Sequence, residues 1–279
     1  MTRPAFASRY GPWALVAGGS EGIGAAFADR IARRGIHLVI VARRPGPLEE
    51  TAARLRRERA VQVRTVAADL ADPAGVRQVI EAAADVEIGL VVANAAVIPT
   101  GSFLATPAAD VGRAVDLNCR ASALLARTFA PAMADRRRGG LVFVSSLAGM
   151  QGVPGLAAYS ATKSFLITLG ESLWAELRHS GVDVITVCAG AVGGSSDGPV
   201  PGITGRDGTA SAGAGPRARQ APGTSTPDQV AAAALGSLGR GFRVVPGGLN
   251  RVSAVTLQHL LPRRAAIAIV GRASAAAVR

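Results

Sequence analysis

Lysine is almost missing from this chain. Of 31 Lys and Arg residues, Lys163 is the one lysine and the other thirty are arginines. Tyrosine is nearly as scarce, with Tyr10 and Tyr159 the two present. Cysteine is limited to Cys119 and Cys188, far apart and without a CxxC spacing. That excludes a disulfide framework and favours a reducing, cytoplasmic setting; no metal is expected. Aromatics make up 4% of 279 residues, too few for a base-stacking platform. The net charge of +12 is therefore read as arginines set late in helices, where cations suit the dipole, and no nucleic-acid partner is expected. No run of eighteen apolar residues occurs, so no transmembrane span is expected. The N-terminus shows no long apolar core of a signal peptide.

What is present alternates. WALVAGG reads as a short buried strand, and GIGAAFADRIARRG as a helix with Gly35 at its carboxyl cap. The pairs HLVIVARR and PLEETAARLRRERA, then VQVRTVAADL and PAGVRQVIEAAAD, repeat the pattern. IGLVVANAA, LVFVSS, VDVITVCAG and RVVPG supply four more strands. One long helix is expected from Pro107 to about Arg137, and another over the segment holding Tyr159. Continuous apolar strands alternating with helices predict a doubly wound, seven-stranded parallel sheet of Rossmann type, covered by helices on both faces. The expected division is a catalytic domain over residues 1–250 and a basic amphipathic helical tail over 251–279. The tail reads as a helix packed on its own domain or a partner subunit, or as one lying on a membrane surface; Pro262 interrupts it. A Gly, Pro, Ser and Ala-rich stretch from Ala191 to Pro227 follows the sixth strand, and its place at the carboxyl edge reads as a lid over ligand.

AGGSEGIG, residues 17 to 24, joins the first strand to the first helix. Gly18, Gly22 and Gly24 permit a tight turn and a close approach to a pyrophosphate, which the helix N-terminus then faces. Ser20 offers a hydroxyl there, beside Glu21. The second strand ends in Ala42, where a carboxylate ordinarily holds the ribose of NAD. Arg43 and Arg44 follow and suit a 2′-phosphate, so NADP(H) is expected over NAD(H).

Tyr159 and Lys163 stand four residues apart on one expected helix, hence on one face. An ammonium near a phenol favours the phenolate and tunes it as an acid and base. Ser146 closes the fifth strand at the edge that faces a ligand, while the alternating strand turns Ser145 the other way. Asn118 is a poor residue for a helix interior, which suggests a kink or a polar role.

Together these features resemble the short-chain dehydrogenase/reductase family from about Trp13 to Leu238. The resemblance rests on AGGSEGIG, the Asp69-Leu70 pair, ANAA with Asn94, Asn118, Ser146 and YSATK. It implies Tyr159 as acid and base, Lys163 as the group that lowers its pKa and binds the nicotinamide ribose, and Ser146 as the residue that polarises the carbonyl. Asn118 is implied to hold a water that links Lys163 to solvent. Gly18, Gly22, Ile23 and Gly24 are implied along the diphosphate, Asp69 and Leu70 beside the adenine, and Asn94, Ala95, Ala96, Gly190 and Val192 along the rest of the cofactor. The chain departs from the family pattern at Ala17, Ala96, Ala189 and Gly194, and the last bears on how a nicotinamide is oriented. The implied activity is NADPH-dependent reduction of a hydrophobic ketone or aldehyde, or the reverse, by a homodimer or homotetramer. Alternatives are a non-catalytic NADP-binding sensor and epimerase or dehydratase chemistry on the same fold.

Overall fold

The computed structural model describes residues 6–193, 224–256 and 262–277. A short helix α1 (Phe6–Tyr10) precedes β1 (Trp13–Ala17). Then come α2 (Gly22–Ala32), β2 (His37–Ala42), α3 (Pro45–Glu58), β3 (Val63–Ala67), α4 (Pro73–Ala82) and β4 (Ile88–Ala93). The second half holds α5 (Ala108–Ala114), α6 (Ser122–Asp135), β5 (Gly139–Ser146), α7 (Ala157–Leu177) and β6 (Val182–Ala189). It closes with α8 (Pro227–Ser237), β7 (Arg243–Val244), α9 (Gly248–Val255) and α10 (Arg263–Ala277).

The seven strands run parallel in the order β3-β2-β1-β4-β5-β6-β7. Alternate residues of one strand serve opposite faces, as a pleated strand requires. In β1, Ala14 and Val16 pack with Phe27 and Ile31 of α2, Leu48 and Leu55 of α3, and Val230 of α8. Leu15 and Ala17 pack the other way, with Val76 of α4, Leu125 of α6 and Leu166 of α7. Both faces are apolar and covered, which is why the strands read as continuous hydrophobic runs. The chain reverses its direction of winding between β1 and β4, and such a switch point opens a crevice at the carboxyl ends of the strands. Asn94, just past β4, donates from Nδ2 to the Gly18 carbonyl at 3.0 Å and ties the two sides of that crevice together.

The expected single helix over 107–137 is instead three pieces in series. Between α5 and α6 the turns widen to π-helix over Val115–Ala121. Asn118 is the reason: it faces inward, fully buried, and bonds outside its own helix. Such bulges recur where one side chain must be re-aimed. Other boundaries shift too. Helix α2 stops at Ala32, and Gly35 takes φ +75° beyond it. Strand β7 is two residues long.

The end of the expected lid is built into the fold. Val192 bridges to Ser225, and Thr226 caps α8 in a reciprocal pair with Gln229. Residues 194–223, most of that stretch and Gly194 with them, lie outside the described residues. Arg30 grips Asp228 through two hydrogen bonds of 2.7 and 2.6 Å and holds α8 against α2. No Asp or Glu follows Asp228 in the sequence. Helix α9 begins before residue 250, so the helical tail grows out of the domain; Ala254 and, in α10, Ala266 are buried.

Candidate active site

The glycine loop is shaped by close packing. A Cβ on Gly24 would stand 1.7 Å from the Gly18 carbonyl oxygen, and one on Gly18 would stand 2.9 Å from Asn94 Nδ2. Only glycine lets α2 start this near the end of β1. The first turn of α2 therefore offers unpaired N–H groups to an anion, with Gly22 at φ +53° forming the bend. The residues present fit the diphosphate of a dinucleotide.

From this cradle a cleft of about 940 Å³ runs along the carboxyl edge of the sheet. Gly18, Ser20, Glu21, Gly22 and Ile23 line it at one end, with Arg43 and Arg44. Leu70, Asn94, Ala95 and Ala96 follow, then Ser146, Tyr159 and Lys163, with Gly190 and Val192 opposite. Three expected site residues stand behind the wall. Gly24 supports the loop. Asp69 accepts from Arg113 at 2.7 Å and from the Ala71 N–H at 3.0 Å. Burial works against ionisation of Asp69, yet those two bonds and the nearby Arg43 charge hold its carboxyl below its usual range. Asn118 is the third.

Arg43 and Arg44 are both exposed at the end of β2 but are not equivalent. Arg44 is spent on Glu21 at 2.6 Å. Arg43 makes no ion pair or hydrogen bond with a described residue.

The reacting groups converge at the end of β5. Ser146 pairs with Ala189 in the sheet register, level with the exit of β6. Its hydroxyl oxygen accepts from the Ala148 N–H at 3.1 Å, which leaves the O–H to donate. Ser146 and Tyr159 line the same cleft, and a hydrogen bond from Ser146 favours the ionised phenol. The chain returns to α7 closely because of Gly149, where a Cβ would come within 2.7 Å of the Lys163 backbone. Ser145, turned to the other side as expected, donates to the Lys163 carbonyl at 2.7 Å. These contacts fix the distance from Ser146 to the first turns of α7.

Lys163 is 3% exposed. Its Nζ donates to the Val144 carbonyl at 2.8 Å and sits 5.5 Å from the centre of the Tyr159 ring. Burial pushes the ammonium down to about 8. The spacing of Tyr159 and Lys163 predicts an ammonium that draws the phenol down. In this structure burial raises the Tyr159 phenol above its ordinary value, and the Ser146 hydrogen bond is what works against that rise. The ammonium is bound elsewhere, to a strand carbonyl.

Asn118 acts across two elements. Its Oδ1 accepts from the Val97 N–H at 2.9 Å, and its Nδ2 donates to the Val97 carbonyl at 3.0 Å and to Thr162 Oγ1 at 2.9 Å. Thr162 in turn donates to the Tyr159 carbonyl at 2.8 Å. Asn118 thus anchors the turn that carries Tyr159, with both amide hydrogens donated and Oδ1 accepting one bond. The sequence signal for Thr162 is its place between Tyr159 and Lys163. Cys119 and Cys188 flank Lys163 as buried thiols, pushed up by burial to about 11 and about 12.

The sequence also gave no warning of the wall beyond Tyr159. Ile98, Met150, Val153 and Leu156 line it, together with Ala254 of α9 and Val270 of α10. The helical tail is part of the cleft.

The model of the family described as "short chain dehydrogenase" matches residues 12–199, from the start of β1 past the end of β6. The chain belongs to that family. It is an oxidoreductase on the same ground, with named dehydrogenases and reductases among its relatives. A 7beta-hydroxysteroid dehydrogenase of Clostridium sardiniense is 30% identical over 186 residues, covering 67% of this chain and 71% of that one. A solved 7beta-hydroxysteroid dehydrogenase superposes with a TM-score of 0.84 over 96% of this chain and 99% of its own, at 25% identity. The very-long-chain 3-oxoacyl-CoA reductase-B of Danio rerio is 32% identical over 65% of this chain, which spans 60% of that longer protein. A short-chain dehydrogenase from Sphingobium yanoikuyae in complex with NADPH shares 33% identity, with a TM-score of 0.72 over 84% of this chain and 87% of its own. Among the described residues of this dehydrogenase, no helix is long and apolar enough to cross a membrane.

Proposed function

We propose that this dehydrogenase is an NADPH-preferring reductase of bulky, apolar ketones or aldehydes, working in reverse as an alcohol dehydrogenase. One observation carries the reading. Ser146, Tyr159 and Lys163 open on the same cleft as the glycine cradle, and the wall beyond them is apolar. A bound nicotinamide dinucleotide supplies the hydride in reduction and accepts it in oxidation. Ser146 donates its O–H to the carbonyl oxygen, and Tyr159 Oη delivers the proton to that oxygen as it becomes an alcohol. The hydrogen bond from Ser146 favours the phenolate left behind, and Lys163 stands in the same cleft 5.5 Å from the centre of the ring. Asn118 and Thr162 hold the turn in place.

The preference for NADPH rests on the absence of a carboxylate at Ala42 and on the unpaired Arg43. The NADPH complex of the Sphingobium relative supports it. The buried free thiols suit a reducing compartment, hence a cytoplasmic enzyme. We place a homodimer or homotetramer contact on the helices that carry Asn118 and Tyr159, where Leu124 is 41% and Phe165 41% exposed.

The test follows absorbance with NADPH and a panel of bulky ketones. Tyr159→Phe is expected to lose turnover by at least roughly a hundredfold, with NADPH affinity by fluorescence near wild type. Arg43→Ala is expected to weaken NADPH by roughly tenfold and leave NADH unchanged. Turnover retained by Tyr159→Phe sinks the mechanism, and equal losses for both dinucleotides sink the Arg43 assignment.

A further inference from the structure

The cleft has two chemically different ends. The cofactor end carries Glu21, Arg43 and Arg44. The far end is formed by Ile98, Met150, Val153, Leu156, Ala254 and Val270. Two polar side chains interrupt that apolar wall, the Ser253 hydroxyl beside Ala254 and one carboxamide. Gln151 lies five residues past Ser146, between Met150 at 7% and Val153 at 6% exposure. It is itself 8% exposed, and it lines the cleft. Its amide makes no hydrogen bond to a described residue.

The side chain is buried as a whole, but neither amide atom is among the buried polar atoms left without a partner, so the carboxamide itself opens onto the cleft. The backbone fixes Gln151 there: its apolar neighbours are packed, and Gly149 is pressed onto α7. A partner for that amide therefore reaches it through the cleft, where a substrate group takes the place of water. A carboxamide offers two donor hydrogens and an acceptor and carries no charge. The cations at the cofactor end are remote in role, and Lys163 is turned to Val144. A charged group in the apolar end would be desolvated without a counter-ion. A neutral oxygen function meets no such penalty.

We propose that Gln151 is a specificity-determining residue that hydrogen-bonds a second, neutral oxygen function, a hydroxyl or a carbonyl, on an otherwise apolar ketone substrate. This rests on the reductase reading above. A site built to pair with a polar group selects against the analogue that lacks it, since the site's own polar atom is then left bare.

The experiment compares 1-decalone with its monohydroxylated isomers and its diones, using NADPH and purified full-length protein. Wild type is expected to favour at least one oxygenated isomer over the parent ketone by roughly tenfold in kcat/KM. Gln151→Leu should erase that preference through KM of the oxygenated substrate, leaving the parent within about twofold. Gln151→Met serves if the leucine variant does not fold, and NADPH binding by fluorescence checks each protein. No preference in wild type, or a preference that survives either variant, overturns the proposal. Equal losses on parent and oxygenated ketones assign Gln151 a packing role and also overturn it. Reduction of the parent ketone, lost in Tyr159→Phe, reports the underlying reading separately. If no ketone turns over, calorimetric binding of the matched decalols to the NADP-loaded protein reads the same ratio.

Discussion

Lys163 shows how one residue can be costly and retained. Its ammonium is shut away from water and satisfied by one carbonyl, so its charged form is disfavoured and its pKa falls from 10.5 to about 8. Between those values the unfolded chain holds a proton that the folded chain has released. Stability from this residue therefore rises as pH climbs from about 8 to 10.5. Cys119 and Cys188, raised by burial, act in the opposite direction above their ordinary pKa and are common to both proteins compared. The melting temperature of wild type minus that of Lys163→Met should climb across that window; a flat difference contradicts it. The residue scale was also the most legible in sequence. Lys163 stood out because arginine serves everywhere else, and Tyr159 because tyrosine is rare. Gln151 did not stand out, since a glutamine in a loop is unremarkable until its burial and its neighbours are known.

At the scale of elements, the strands were readable because both faces of the sheet are buried, which leaves unbroken apolar runs. The glycine loop was readable because Gly24 allows no other residue against Gly18. The π-helical stretch was not, since its cause is a contact between Asn118 and Val97 on a distant loop, invisible to local periodicity. That contact also sets a stability expectation. Asn118→Leu keeps the size but strips partners from the Val97 N–H and carbonyl and from Thr162. The cost is on the order of 3 kcal/mol, read as a lower denaturation midpoint at unchanged slope. Tyr159 loses its anchor in the same variant, so kcat should fall even in molecules that remain folded. A variant as stable and active as wild type would mean that the bulge does not depend on Asn118.

For the whole molecule, α1 is an added clasp. Tyr10 Oη donates to Asp183 Oδ2 at 2.6 Å and Arg9 pairs with the same carboxylate, joining the amino-terminal helix to β6. No sequence pattern links residues 173 apart. The proposed homo-oligomer belongs to this scale as well. Phe165 is exposed on the same helix as the reacting pair, and a charge there opposes burial against a second copy. Under that proposal wild type is expected to sediment as a dimer or tetramer and Phe165→Glu as a monomer at the same concentration. Identical sedimentation of both would remove that surface from the assembly.

The acid-free stretch after Asp228 supplies α9 and α10, and both reach the cleft. The tail residues that line the opening, Ser253, Ala254 and Val270, are uncharged, and the cleft cation without an ion partner among the described residues is Arg43 at the other end. A dinucleotide phosphate approaching from solution meets an attractive field before it meets any shaped surface. Dissolved ions weaken that pull within about a nanometre. The ionic content of the surrounding fluid, and not the pocket alone, then sets how often cofactor and enzyme find each other.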